Sequence, residues 1–246
     1  MIKRFNRFEL KYLIGGKVRD ALLPDLLPYV VPDPEGGESG TYKVTSLYYD
    51  TDDLYFFRSK IEGIRFRRKV RIRQYGDFSA APDALTMLEI KQRIGRTTQK
   101  RRLALPLAES VALCKAELER TWDDARDREV AGEIEFLVRN LRLRPTCLVS
   151  YVRQAFMGGR YEPGLRVTFD QNLWASPGAD GFTPGTRHHF LSPDLLVMEV
   201  KANDAVPQWV SRMLARHGCE IERFSKYVTG IAHMRVMRDR AEVSHG

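Results

Sequence analysis

The chain has 246 residues, 43% hydrophobic and 10% aromatic, which is enough apolar material for a core and excludes a disordered or fibrous polymer. Forty Lys and Arg against 32 Asp and Glu leave a net charge of +8, so the expected partner is anionic: nucleic acid, an anionic membrane, or a phosphorylated small molecule or polymer. Three scattered cysteines (Cys114, Cys147, Cys219) without a CxxC argue against a disulfide framework and for reduced thiols.

Met1 to Arg7 has no apolar h-region, and no apolar run approaches the ~20 residues of a membrane span. The expectation is a cytoplasmic protein with no signal peptide and no membrane span. Residues 6–13 alternate, with Arg7, Glu9 and Lys11 on one face and Phe8, Leu10 and Tyr12 on the other, as in a strand. Gly15-Gly16 ends it. Residues 17–28 read as an amphipathic helix interrupted by Pro24, and 32–40 as a Gly/Pro-rich loop. Residues 41–50 form a second strand, and Asp50 to Asp53 open a short helix near 53–60.

The run Arg65 to Tyr75 follows. At a period of two, Arg65, Arg67, Lys69, Arg71 and Arg73 share one face, opposite Phe66, Val70 and Ile72, with Arg68 as the exception. Such cations repel each other unless something anionic lies between them. The competing reading is a solvated sheet face. Residues 85–93 place Glu89, Lys91 and Arg93 together, Gly95 marks a hairpin, and 97–105 return with Thr98, Lys100 and Arg102 on one face.

Residues 107–143 read as helices with apolar stripes. Strands resume at 146–157, with Tyr151, Arg153 and Ala155 on one face, and at 164–171, with Arg166, Thr168 and Asp170. Residues 175–193 look like loop, and 195–202 are a strand carrying Glu199 and Lys201. Two terminal helices cover 207–217 and 222–236.

The reading is a single α+β domain over 1–246, with about eight strands and clean alternation, the pattern of an antiparallel sheet whose two faces see different surroundings. Closing such a sheet into a barrel would set its charged faces around one lumen, with the helices packed outside. Arginine forks suit phosphate oxygens, and carboxylates among them suit a divalent metal. Glu9, Glu89 and Glu199 are the carboxylates that either hold metal or pair with Arg and Lys. No P-loop, dinucleotide fingerprint, zinc cluster or Ser/His/Asp order stands out, and His188-His189 reads as surface loop. Stacking aromatics are missing from the 65–73 face, and Tyr48-Tyr49 read as core, which argues against nucleic acid.

Taken in order, Arg7 to Tyr12, Lys69 to Tyr75, Leu88 to Lys91, Tyr151 to Phe156, Leu165 to Asp170, Met198 to Lys201 and Phe224 to Tyr227 resemble the VTC domain. That family is the polyphosphate polymerase domain of the vacuolar transporter chaperone complex, within the CYTH-like triphosphate tunnel metalloenzymes. The resemblance spans about residues 6–230. It implies a closed eight-stranded antiparallel β-barrel tunnel that binds ATP or another triphosphate, and polyphosphate, with Mn²⁺ or Mg²⁺. By resemblance, Lys11, Arg71, Arg73, Lys91, Arg153, Arg166 and Lys226 hold phosphate, with Lys201 assisting. Arg67, Lys69, Lys100 and Arg102 are further candidates. Glu199, and more weakly Glu9, would hold metal.

The superfamily's ExExK signature has Arg7 in place of its first Glu. This favours polymerase over the alternatives of a tripolyphosphate or nucleoside triphosphate hydrolase and a non-catalytic polyphosphate binder. No SPX sensor or membrane helix is read in these residues, so coupling to a membrane is unsupported, and a separate membrane partner is left open.

Overall fold

The structure is a computed structural model that describes residues 7–95, 97–160, 162–179 and 181–244. Asn6 and the side chain of Arg7 lie outside the described residues, and with them the expectation attached to Arg7. The chain runs through β1 (Arg7–Gly15), α1 (Gly16–Leu26), β2 (Val30–Pro32), β3 (Thr41–Asp50), α2 (Tyr55–Ile61), β4 (Phe66–Tyr75), β5 (Leu85–Ile94) and β6 (Thr97–Pro106). It continues through α3 (Leu107–Leu113), α4 (Ala125–Leu141), β7 (Arg144–Gly158), β8 (Arg166–Pro177), β9 (His188–His189), β10 (Leu195–Asn203), α5 (Gln208–Arg216) and α6 (Lys226–Ser244).

The strands pair in the order β1-β10-β8-β7-β3-β4-β5-β6, with β2 on β7 and β9 on β8. The α+β class holds, but the closed barrel does not: the order has two ends, β1 and β6, and no ladder joins them among the described residues. The outer edge of β1 is already used. Ile221 bridges to Tyr12 there, and the Glu222 N–H donates to the Lys11 carbonyl at 2.7 Å. An edge so occupied cannot also accept a closing strand.

Two smaller expectations change. Pro24 does not interrupt α1, because it lies close to the C-terminal end and the Leu27 N–H still reaches the Leu23 carbonyl. The 175–193 segment is not all loop: β8 extends to Pro177, and His188 and His189 pair with Ala175 and Trp174. The block 107–143 is helical as read, in two helices, the second capped by the Asp124 side chain on the Asp127 N–H.

The chain forms two compact units. Unit 1 comprises Met1–Lys43, Tyr151–Leu173 and Leu191–Ser225; unit 2 comprises Val44–Ser150, Trp174–Phe190 and Lys226–Gly246. In unit 1, Tyr12 and Ile14 of β1, Val167 and Phe169 of β8, and Met198 and Val200 of β10 pack against Leu22 and Leu26 of α1 and Val210, Met213 and Leu214 of α5. In unit 2, Val70 and Ile72 of β4, Leu88 and Ile90 of β5, and Leu103 and Leu105 of β6 pack against Val130, Ile134, Leu137 and Val138 of α4.

Burying one such side chain is worth ~1.5–3 kcal/mol. A one-residue slip would turn the whole apolar set outward, so the helices settle which strand face carries the charges. No helix among the described residues is long and apolar enough to cross a membrane.

Candidate functional site

In unit 2 the ladder register assembles the charges. Tyr48 stands opposite Arg71, Arg71 opposite Glu89, and Glu89 opposite Arg102. The neighbouring rows are Lys69–Lys91–Lys100 and Arg67–Arg93 on one side, and Ser46–Arg73–Met87 on the other. Opposed residues share a face with Cβ atoms about 5 Å apart. Arg67, Lys69, Arg71, Arg73, Lys91, Lys100 and Arg102 therefore gather as the sequence suggested, and Arg93 joins them. Arg65 precedes β4 and is exposed.

Glu89 is the carboxylate of these rows, and it proves to be an ion-pair partner. Arg71 donates Nε to its Oε2 at 2.8 Å and brings Nη2 to 2.7 Å, and Lys100 meets Oε1. Glu89 is 1% exposed. Burial by itself would raise its pKa, but Arg71, Arg73 and Lys100 together hold the carboxyl well below the usual range. Arg71 Nη1 also donates to the Tyr48 hydroxyl at 3.0 Å, and Arg73 donates Nε to Ser46 at 3.0 Å.

Two phenols report the field. Burial would raise Tyr48 and Tyr75, yet both lie below the ordinary tyrosine value. Arg71, Arg73 and Lys226 act on Tyr48, and Arg73 acts chiefly on Tyr75. Lys226 is buried at the start of α6. The next residue, Tyr227, stacks on Tyr48 at 4.9 Å and donates to Asp50 at 2.5 Å. Asp50 also accepts the Phe56 and Phe57 N–H groups of α2, at 2.8 and 3.0 Å. Lys69 lies over the Tyr227 ring at 5.6 Å.

Tyr48 and Tyr49 are both buried, as the sequence suggests, and Tyr48 in addition accepts a hydrogen bond from Arg71. The signal for it was parity, since Ser46 and Tyr48 fall on alternate positions of β3. A cleft of ≈ 650 Å³ bordered by Tyr49, Cys114, Arg139, Arg142 and Arg144 contains none of the candidate residues.

Unit 1 carries a second cluster. Lys11 stands opposite Glu199, which stands opposite Thr168; Glu9 stands opposite Lys201, which stands opposite Arg166. Lys11 Nζ lies 3.4 Å from Glu9 and 3.5 Å from Glu199, and donates to the Phe224 carbonyl at 3.3 Å. Lys201 donates to Glu199 at 2.9 Å. Burial lowers the Lys201 pKa, and Arg153 adds to that against the pull of Glu199.

Arg153 grips Asp170 with two hydrogen bonds of 2.7 and 2.8 Å. Burial opposes its charge, but Asp170 raises its pKa above the ordinary arginine value. Arg166 Nη2 donates to Asp33 at 2.5 Å and to Tyr42 at 2.8 Å. Tyr42 is pushed up to about 12 by its burial. Two buried polar atoms of this cluster, Thr168 Oγ1 and Arg166 Nε, have no hydrogen-bond partner among the described residues. Asp33 and Tyr42 are not legible in the sequence as site residues, because each is defined by a partner on another strand; Asp170 is read there beside Arg166, but its partner proves to be Arg153.

The two clusters differ in charge balance. In unit 1, Lys11, Lys201, Arg153 and Arg166 all meet Glu9, Glu199, Asp170 or Asp33. In unit 2, Glu89 faces rows of Arg and Lys. No group of three or more His, Cys, Asp or Glu side chains is gathered for a metal among the described residues. Glu9 and Glu199 nonetheless meet at Lys11, and the oxygen donors of this carboxylate pair would suit a hard cation.

A family model described as the VTC domain matches residues 6–235. A Trypanosoma cruzi protein named vacuolar transporter chaperone complex subunit 4 is 24% identical over 280 residues, covering 94% of the chain and 34% of that protein. The chain thus spans about a third of that relative's length. Among solved structures, a Bacillus halodurans protein provisionally named an adenylate cyclase aligns with TM-score 0.49 and 13% identity, over 88% of the chain and 92% of its own. The PH1819 protein of Pyrococcus horikoshii aligns with TM-score 0.43 and 11% identity, over 94% and 99%.

Proposed function

Because the chain belongs to the VTC domain family, we propose that it is a metal-dependent phosphotransferase that moves the γ-phosphoryl group of ATP onto a growing polyphosphate chain. The observation that carries the reading is the unit 2 face, where three adjacent strands align Lys69, Lys91 and Lys100 beside a clamped Arg71. Such a face suits a flexible polyanion better than a compact monoanion.

A terminal oxygen of the chain attacks the γ-phosphorus, the bridging bond to ADP breaks, and ADP leaves. This chemistry asks for positioning and charge neutralisation and no covalent protein nucleophile. Glu89 and Tyr48 hold the Arg71 guanidinium in one orientation, so little ordering is left for the moment of reaction. Lys226, buried at the start of α6, adds positive charge beside Tyr48. Glu199 with Glu9 would hold Mn²⁺ or Mg²⁺, which when bound would supply positive charge to neutralise phosphate. A separate partner subunit belongs to the proposal, in line with the name of the Trypanosoma cruzi relative.

The test is incubation of the purified protein with ATP, Mn²⁺ or Mg²⁺ and a short polyphosphate primer, read by gel and ³¹P NMR. Extended chains and ADP are expected. Free phosphate alone would mean hydrolysis, and tight binding without turnover would mean a binder. Arg71→Ala and Arg73→Ala should each lower turnover ~10-fold or more, the worth of one charge-assisted contact, with the fold intact. Glu199→Ala should abolish metal-dependent turnover yet retain binding of free polyphosphate.

A further inference from the structure

We infer that Thr168 is a further substrate-contacting residue, whose hydroxyl donates to a phosphate oxygen in the unit 1 cluster together with Arg166 Nε. This rests on the phosphate-handling reading above. Thr168 is 0% exposed and sits mid-strand in β8, on the face shared by Arg166 and Asp170 and directly opposite Glu199. Burying a hydroxyl without a partner is costly, so a fold retains one there only for some gain. Glu199 does not satisfy it: that carboxylate meets Lys11 and Lys201 instead. Two residues away, the buried Arg166 Nε–H is likewise without an acceptor, while the same guanidinium is fixed at Nη2 by Asp33 and Tyr42.

Two unsatisfied buried donors on one strand face, held among Lys11, Lys201 and Arg153, mark a place for anionic oxygen. Each cation of this cluster already meets a carboxylate, so neutral or fixed donors that cost no ion pair become the contacts a phosphate can still recruit. A hydroxyl also discriminates by geometry, because it must lie within ~3 Å of the oxygen it serves. The ligand class is therefore a condensed phosphate or the triphosphate of a nucleotide.

The experiment compares Thr168→Val, which keeps the shape and deletes the hydroxyl, with Thr168→Ser, which keeps the hydroxyl. Tripolyphosphate binding is measured by calorimetry without nucleotide, and the melting temperature is measured without ligand. Thr168→Val is expected to bind tripolyphosphate ~10-fold more weakly, with an unligated melting temperature equal to or above wild type, because it removes an unsatisfied buried group. Thr168→Ser should bind like wild type. Wild-type affinity in Thr168→Val, alongside clear loss in Arg71→Ala, overturns the role of the hydroxyl and leaves the broader reading standing. A lowered melting temperature in Thr168→Val shows a structural hydroxyl and overturns the inference. Failure of the wild-type protein to bind tripolyphosphate at all overturns the broader reading and this inference with it.

Discussion

Glu89 concentrates the negative charge of a strongly cationic face, and its energetics can be read directly. Its folded pKa lies below the unfolded value of about 4.3. A depressed carboxylate contributes stability that is fully present above the unfolded pKa and is lost as pH falls through the folded one. Removing it takes from Arg71, with a side chain 13% exposed, the carboxylate that it grips. Glu89→Gln should therefore cost about 3 kcal/mol at pH 7, the low end of the buried-pair range because the Lys100 side chain is 40% exposed. Urea denaturation at pH 7 and pH 3 checks this. The gap between variant and wild type should narrow at pH 3, and an unchanged gap would place the effect of Glu89 elsewhere than in its charge.

Among elements, the β4–β5–β6 ladder stores repulsion. Lys69, Lys91 and Lys100 lie directly across from one another, and like charges so placed weaken a sheet by a few tenths of a kcal/mol to ~1 kcal/mol per pair. The cost is tolerated because α4 buries Val70, Ile72, Leu88 and Ile90 on the reverse face of β4 and β5. Lys91→Gln removes the central charge of the row and should weaken tripolyphosphate binding, so the rise in melting temperature on adding tripolyphosphate should shrink. An unchanged rise would show that Lys91 does not meet the ligand.

At the scale of the whole molecule, a net charge of +8 draws anions from a distance, and salt shortens that distance. Raising ionic strength from ~0.1 M to ~1 M shrinks the Debye length from ~10 Å to ~3 Å. Tripolyphosphate binding should weaken across that range as the exposed Lys100 and Arg102 are screened. It should not vanish, because Arg73 and Arg153, each 6% exposed, are shielded from the salt. Calorimetric titration across KCl concentrations measures this. Affinity independent of salt would mean that the exposed cations play no part.

Much of this architecture is local, and local physics is legible in a sequence. Residues 41–50 read as a strand and are β3, because Tyr, Val and Thr favour an extended backbone, and from Val44 on the strand is buried on both faces. The cations of β4, β5 and β6 were placed on one face by counting in twos, since burial of Val70, Ile72, Leu88 and Ile90 leaves no other arrangement. What the residues oppose was not legible. Arg166 meets Asp33 from 133 positions away, and Lys11 meets the carbonyl of Phe224 from 213. Nothing in a window of ten residues encodes such a distance. Whether Glu89 held metal or paired with arginine depended on register, which sets Arg71 opposite it and Lys91 opposite Lys100. The open ends of the sheet depended on competition for one edge, which the short segment at Ile221 occupies. Periodicity determined which side chains share a face, because that follows from the pleat of a single strand. Pairing decided which charges are neutralised and which donors stay unsatisfied, because that energy exists only once distant strands have met.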